Sequence, residues 1–320
     1  MKHNFALIGA AGYIAPRHLR AIKDNGQKLI AAVDKNDSVG VIDSYFPDAS
    51  FFTEFERFER HTEKLRRKND KDKIDYVTIC SPNYLHDSHI RFALREDAHA
   101  ICEKPLVLNP WNAEALKGVE KETGKKVFTI LQLRLHPSII ALRKKYSNPP
   151  AERAGNISKK LDVELSYITP RGKWYHYSWK GDANKSGGVA MNIGIHFFDM
   201  LMWIFGAPKK NIVHISQPDK AAGMLELENA NVKWYLSIDG NDLPKSKACK
   251  THRSITIDKE EIEFSDGFTE LHTQSYKEIL KGSGFRIDET LQSIDTVYNI
   301  RHSKPIGLKG EYHPMLKKIK

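Results

Sequence analysis

The 320-residue chain is long enough for one large domain or two ordinary ones, and 40% of it is apolar, enough for a real core. Lys and Arg outnumber Asp and Glu by 50 to 40, a net charge of +10 that favours anionic partners, but no recognition motif accompanies the charge and nucleic-acid binding is not expected. Cys80, Cys102 and Cys249 are too few for a disulfide framework and lack metal spacing, and the apolar stretch Phe5 to Ala15 is too short to span a bilayer; a cytoplasmic chain without membrane or metal is the expectation.

Phe5-Ala6-Leu7-Ile8 reads as a buried strand ended by Gly9. Gly9-Ala10-Ala11-Gly12-Tyr13-Ile14-Ala15 follows, with a helix from Arg17 to Asn25. Strand, glycine turn and helix form the context of a dinucleotide-binding fingerprint, here spaced G-x-x-G-x-x-A. Leu29 to Val33 is a second strand, and it ends in Asp34. A carboxylate at that position accepts hydrogen bonds from ribose hydroxyls and repels a 2′-phosphate, so NAD is expected over NADP; Lys35 beside it keeps the second open.

Val39 to Tyr45 is expected as a helix, Phe51-Phe52 as a strand and Glu54 to Lys68 as a charged helix. The basic run Arg57 to Lys73, interleaved with Glu59, Glu63, Asp70 and Asp72, reads as a solvated surface; so does the tail Lys309 to Lys320. Asp75 to Cys80 is a strand ended by Ser81-Pro82-Asn83, before a helix from Tyr84 to Arg95. Ala98 to Cys102 is another, followed by Glu103-Lys104-Pro105. A lysine just past a parallel strand lies where open α/β sheets bind ligands, and it can stabilise negative charge on a reacting oxygen. A helix from Asn112 to Glu122 and a strand from Val127 to Leu131, ended by Gln132, complete six strands. The pattern predicts an α/β fold: a Rossmann doubly wound parallel sheet over residues 1–133.

Residues 134–320 are expected as a second α/β domain with an open, largely antiparallel mixed sheet. Arg134-Leu135-His136-Pro137 leads into a helix to Tyr146 and a loop through Asn148-Pro149-Pro150. Leu161 to Ile168 alternates like a half-covered strand. Arg171, Lys173, Trp174, Tyr175, His176, Tyr177, Trp179 and Lys180 crowd one loop, either a lid on the core or a substrate loop that stacks rings and pairs anions. One helix is expected from Val189 to Phe205, with Asn192, His196 and Asp199 along one face. Strands are expected at Ile212–Ile215, Ala222–Leu227, Val232–Ile238, Ser254–Ile257 and Glu261–Phe264, then helices at Gly267–Leu280 and Asp288–His302. Helices should cover one face of this sheet and a subunit interface the other.

The glycine turn, Asp34, Ser81-Pro82-Asn83 with His86, Glu103-Lys104-Pro105, and Gly187-Gly188 followed by Asn192 and His196 together resemble the glucose–fructose oxidoreductase / inositol dehydrogenase (Gfo/Idh/MocA) family over essentially the whole chain. The family usually has aspartate four residues before the histidine, where this chain has Asn192, and its glycine turn is one residue shorter. Both departures, with EKPLVLNPWN, QLRLHP, RGKWYHYSWKGD and NIGIHFFDML, resemble the branch of UDP-N-acetylglucosaminuronate 3-dehydrogenases of bacterial polysaccharide (lipopolysaccharide O-antigen) biosynthesis.

The resemblance implies an NAD-dependent oxidoreductase acting on the C3 hydroxyl of a UDP-sugar, dimeric or tetrameric, with a 2-oxo acid as a partner for cofactor recycling. It implies catalytic roles for Lys104 and His196, His196 as base and Lys104 on the oxyanion, or the reverse, the two meeting at one sugar oxygen. Gly9, Gly12, Tyr13 and Ile14 at the glycine turn, with Asp34, Lys35 and Asn36, would hold the cofactor. So would Ser81, Pro82, Asn83, His86, Glu103, Lys104 and Gln132. Arg134, His136, Arg171, Lys173, Trp174, Tyr175 and Asn192, with Lys104 and His196, would meet the substrate. Another sugar or polyol dehydrogenase, a non-catalytic NAD-binding regulator, and an NAD-dependent glycosidase are the alternatives. Cofactor binding without turnover marks the regulator; glycoside cleavage without net NADH marks the glycosidase.

Overall fold

Strand β1 (Asn4–Ile8) lies near the centre of a six-stranded parallel sheet and is buried along its last four residues. Around it are β2 (Lys28–Val33), β3 (Ser50–Phe52), β4 (Tyr76–Ile79), β5 (His99–Cys102) and β6 (Val127–Thr129), in the spatial order 3-2-1-4-5-6. The connecting helices include α1 (Ala15–Asp24), α2 (Phe55–Lys68), α3 (His86–Arg95) and α4 (Pro110–Thr123). All four residues of β4 are buried, as both-sided cover by helices requires. The order reverses between β1 and β4, so the ligand crevice of this sheet lies beyond the carboxyl ends of those two strands. The computed structural model describes residues 2–68, 71–146, 160–244, 250–263 and 270–318; the Asn148-Pro149-Pro150 loop, Cys249, Phe264 and Gly267 lie outside them.

Val39 to Tyr45 is not the expected helix. It is a series of turns closed by bonds from Ile42 N to Val39 O and from Tyr45 N to Ile42 O. Its apolar side chains, Val39, Val41 and Tyr45 among them, pack on the core in that form.

The second unit carries α5 (Pro137–Tyr146), β7 (Leu161–Ile168), α6 (Trp174–Tyr177), α7 (Ala183–Ser186), α8 (Gly188–Asn192) and α9 (Ile195–Phe205). Then come β8 (Pro208–Ser216), β9 (Lys220–Leu227), β10 (Ala230–Ser237), β11 (His252–Ile257) and β12 (Glu260–Glu263). The sheet order is 12-11-7-10-9-8, antiparallel except for β7 beside β10. On one face Phe198 packs edge-on to Trp234 at 5.1 Å. On the other, Leu316 and Met315 of the C-terminal segment cover Ile168, Ala222 and Tyr235, and His313 stacks on Tyr235 at 5.6 Å. The tail is therefore more than a solvated basic run: His313 and Leu316 are buried.

The chain divides as Met1–Gln132 with Thr269–Leu291, and Leu133–Phe268 with Gln292–Lys320. The sequence reading placed everything after residue 133 in the second domain. Instead α10 (Leu271–Leu280) returns to the first unit and packs on α1. After it, Phe285 accepts a bond from Thr129 N and Arg286 bridges to Phe128, so this segment covers the edge of β6. Helix α11 (Ile287–His302) begins in the first unit and ends in the second. Among the described residues no single helix is long and apolar enough to cross a membrane.

Burial keeps several histidines neutral. It lowers His18 and His86, brings His89 to about 4 and His313 to about 3. Below about pH 6.5 the unfolded chain binds protons that these folded sites refuse, so stability falls with pH, by up to about 1.4 kcal/mol per pH unit for each site. Glu103 acts in the same direction only lower down, since its folded carboxyl lies well below the usual range. Thermal melts should show Tm falling steadily from neutral pH toward about pH 5; a flat or rising Tm over that window would contradict the neutral assignment.

Candidate active site

Gly9 has φ +90, and a Cβ there would lie 2.7 Å from Cys80 C and Ser81 N. The close approach of β4's end thus excludes any side chain at residue 9, apart from what a pyrophosphate needs. Gly12 N donates to Gly9 O at 3.1 Å, closing the turn. Asp34 is half-buried; its Oδ2 accepts from Ala11 N at 3.0 Å and its Oδ1 from Asn36 N at 2.9 Å. The lengthened turn is thereby tied to the second strand. No side chain caps the N-terminus of α1, whose first residues include Pro16. A turn with glycine at 9 and 12, a helix N-terminus without a side-chain cap and a carboxylate at the end of β2 fit NAD. Tyr13 is 88% exposed, and Lys35 and Asn36 are exposed beside Asp34.

Ser81, Asn83 and His86 are buried beyond β4. Ser81 Oγ bonds His89 Nδ1 at 2.8 Å. His86 Nδ1 lies 2.7 Å from the Pro105 carbonyl and Nε2 2.9 Å from the Ser81 carbonyl, so the ring sits between the Ser81-Pro82-Asn83 and Glu103-Lys104-Pro105 turns, and as a neutral imidazole it donates to one of the two. Expected as a cofactor contact, it is 1% exposed and engaged by backbone on both sides. Gln132 is buried, and its Oε1 meets no hydrogen-bond donor among the described residues.

Lys104 is half-buried after β5 and joined to Pro105 by a cis peptide. Glu103, also expected to face the cofactor, is turned inward instead. Its Oε1 accepts from His18 Nε2 at 2.9 Å and His272 Nε2 at 3.1 Å, and its Oε2 from Lys104 N at 3.2 Å. Burial alone would raise its pKa, but the two histidine hydrogen bonds outweigh it and hold the carboxyl well below its usual range. His18 Nδ1 bonds Tyr276 Oη at 2.8 Å, and Tyr276 Oη bonds Thr78 Oγ1 at 2.8 Å. Sequence reading missed this network. The available signal was His18, a polar residue on the buried face of α1; His272 and Tyr276 gave none, being some 170 residues from Glu103.

In the second unit the expected single helix is broken at Ile193–Gly194, and the stretches Ala183–Asn192 and Ile195–Phe205 bend by 43°. A Cβ at Gly194 would collide with Ala190 O and with Leu236 of β10. His196 therefore lies in the first turn of α9, half-buried, and does not share a continuous helix face with Asn192. Asn192 Nδ2 donates to Tyr175 Oη at 2.7 Å; both residues are buried. Arg134 was expected to meet the substrate's anions. It is buried and forked onto Asp199 of α9, Nε to Oδ2 at 2.8 Å and Nη2 to Oδ1 at 2.7 Å. The fork commits its planar donors to protein, so it fixes α9. His136 is buried beside it in sequence and accepts from Ser138 N at 3.3 Å.

Arg171, Lys173 and Trp174 are exposed. Lys180 lies over the Trp174 ring at 5.3 Å and over Trp179 at 4.7 Å, while Tyr175 is buried beneath. The loop thus divides: Tyr175 packs inward, and a cationic and aromatic surface remains outside.

Residues 3–131 match the NAD-binding Rossmann-fold domain of the Gfo/Idh/MocA oxidoreductase family, and 154–242 match its C-terminal alpha/beta domain. The WlbA (WbpB) dehydrogenase of Thermus thermophilus, solved with NAD and alpha-ketoglutarate and with NAD and UDP-GlcNAcA, is 48% identical. That match covers 98% of this chain and 99% of the other, with a TM-score of 0.90. The WlbA dehydrogenase of Bordetella pertussis is 18% identical with a TM-score of 0.73, covering 96% of this chain and 98% of that one; it shares the fold. D-glucoside 3-dehydrogenase of Escherichia coli (strain K12) is 24% identical, with 73% of this chain and 71% of the relative aligned. With both halves matched in order, the glycine cradle at residues 9 and 12 and the Glu103-Lys104-Pro105 turn belong to a known architecture: the chain is a member of the Gfo/Idh/MocA family of oxidoreductases, its first unit an NAD-binding Rossmann fold.

Proposed function

We propose that the protein is an NAD-dependent dehydrogenase that oxidises the C3 hydroxyl of a UDP-N-acetylglucosaminuronate-type nucleotide sugar. The likeness to the Thermus WlbA dehydrogenase, 48% identical over nearly the full length of both chains and solved with NAD and UDP-GlcNAcA, carries this reading. NAD, when bound, accepts the hydride from C3. His196 takes the hydroxyl proton, and Lys104 donates a hydrogen bond to the same oxygen as negative charge develops on it. The cradle at Gly9 and Gly12 and the uncapped α1 N-terminus receive the pyrophosphate, and Asp34 the adenosine ribose. Arg171 and Lys173, both exposed, are assigned to the substrate's pyrophosphate and carboxylate. Trp174 packs on an apolar face of the substrate.

Alpha-ketoglutarate accompanies NAD in one of the Thermus structures, which supports a 2-oxo acid as the acceptor that regenerates NAD here. A homo-oligomer, cytoplasmic location and a place in lipopolysaccharide synthesis belong to the same proposal. The test mixes purified protein with NAD and the UDP-sugar acid and follows NADH absorbance, alone and with alpha-ketoglutarate. NADH formation, or 2-hydroxy acid and 3-keto sugar formation when NADH stays bound, is the expected outcome. No product in either format refutes the substrate assignment.

A further inference from the structure

With Glu103 ionised and His18 neutral, the hydrogens around Glu103 fall into one chain of donors and acceptors. Glu103 is ionised and can only accept, so His18 and His272 both carry their proton on Nε2. Burial keeps His18 neutral, which makes its Nδ1 an acceptor. Tyr276 must then donate to His18 Nδ1, and Thr78 must donate to the Tyr276 oxygen. His272 Nδ1 is buried and has no hydrogen-bond partner among the described residues. Thr78 lies on β4, His18 on α1, and His272 and Tyr276 on α10, so three elements converge on one carboxylate beyond β5. The remaining oxygen of that carboxylate accepts from the backbone N–H of Lys104. His18 and His272 close on Glu103 at 2.9 and 3.1 Å, the distances of direct hydrogen bonds.

We propose that His18, His272 and Tyr276 are positioning residues for Lys104: they lock the Glu103 carboxylate, which holds the Lys104 backbone and sets the direction in which the ammonium leaves the turn. This rests on the proposed dehydrogenase reading only in making Lys104 the catalytic group. None of the three touches the reacting atoms. Helix α10, contributed from far along the chain, therefore completes the catalytic turn of the first unit as well as covering α1.

The test compares wild type with His272→Ala, His272→Gln and Tyr276→Phe. Loss of position without loss of binding should lower kcat by about 10- to 100-fold in His272→Ala, while KM for the nucleotide sugar and the Kd for NAD, read by fluorescence titration, stay within about threefold. Hydrogen exchange at the Lys104 amide should quicken, and the Gln amide, able to donate to Glu103, should restore both readouts. Unchanged Lys104 exchange together with unchanged kcat overturns the proposal, as does a Gln variant no better than Ala. Should His272→Ala fail to fold, Tyr276→Phe, which loses only a hydroxyl, replaces it with the same expectations. In the wild type, imidazole 15N shifts at neutral pH should show a proton on Nε2 of both His18 and His272; an Nε2 without one on either ring refutes the lock. If wild type oxidises no nucleotide sugar, the functional reading fails alone, since exchange, NAD binding and tautomers still decide this one.

Discussion

Lys104→Met and His196→Gln should each lower kcat by roughly 10²–10⁴, with the Kd for NAD nearly unchanged. Oxidising an alcohol requires the hydroxyl proton to leave as the hydride departs, so the oxygen passes through a state of high negative charge. A base that removes the proton and a cation that meets the charge act only in the transition state, which is why kcat falls rather than affinity. Met keeps the bulk of the lysine stem and removes every donor; Gln keeps a polar side chain and removes the basic nitrogen. If both groups act on one oxygen, the double variant should be about as slow as the slower single variant, because either loss already breaks the unit. Single-turnover NADH formation and NAD titration check both parts. Either variant retaining kcat within about threefold would remove that residue from the mechanism.

Arg134→Met should cost about 3–5 kcal/mol of stability, the second large effect. The substitution leaves the Asp199 carboxylate buried without its two guanidinium donors. The pair itself contributes much less than that, because both ions gave up water to form it. Arg134→Met combined with Asp199→Leu should therefore recover most of the loss. At about 2–4 °C per kcal/mol for a domain of this size, Tm falls by roughly 6–20 °C in the single variant. Urea titration at neutral pH measures the difference directly. A single-variant loss below about 1 kcal/mol would show that the fork is not the anchor of α9. The same experiment bears on function, because His196 lies three residues before Asp199 in α9. At temperatures where it remains folded, the Arg134→Met protein should lose kcat in excess of its loss of folded fraction.

Periodicity and punctuation in the sequence determined the fold class. Buried parallel strands are short, continuous and apolar, so all six of the first sheet were legible, along with the glycine turn and Asp34 that suit a dinucleotide. Lys104 was legible because a strand end with Glu-Lys-Pro is a local pattern. What local patterns cannot show is which partner a polar side chain finds. Arg134 read as a free cation for the substrate, but Asp199, 65 residues away, takes two of its N–H donors and pairs its charge. The Val189 to Phe205 helix read as continuous because helical propensity is a property of a short window. It breaks at Ile193–Gly194, where Leu236 of β10 lies so close that only glycine fits, and that is a contact across the fold. Glu103 read as a cofactor ligand, yet His18 and His272 claim it, one of them from α10, a helix the sequence placed in the wrong domain. The sequence by itself determined the fold class and the strands of the first sheet, since these follow from neighbours within a few positions. Tertiary structure alone decided which charges are spent inside the protein and which remain for ligand, because burial and pairing depend on residues that only folding brings together.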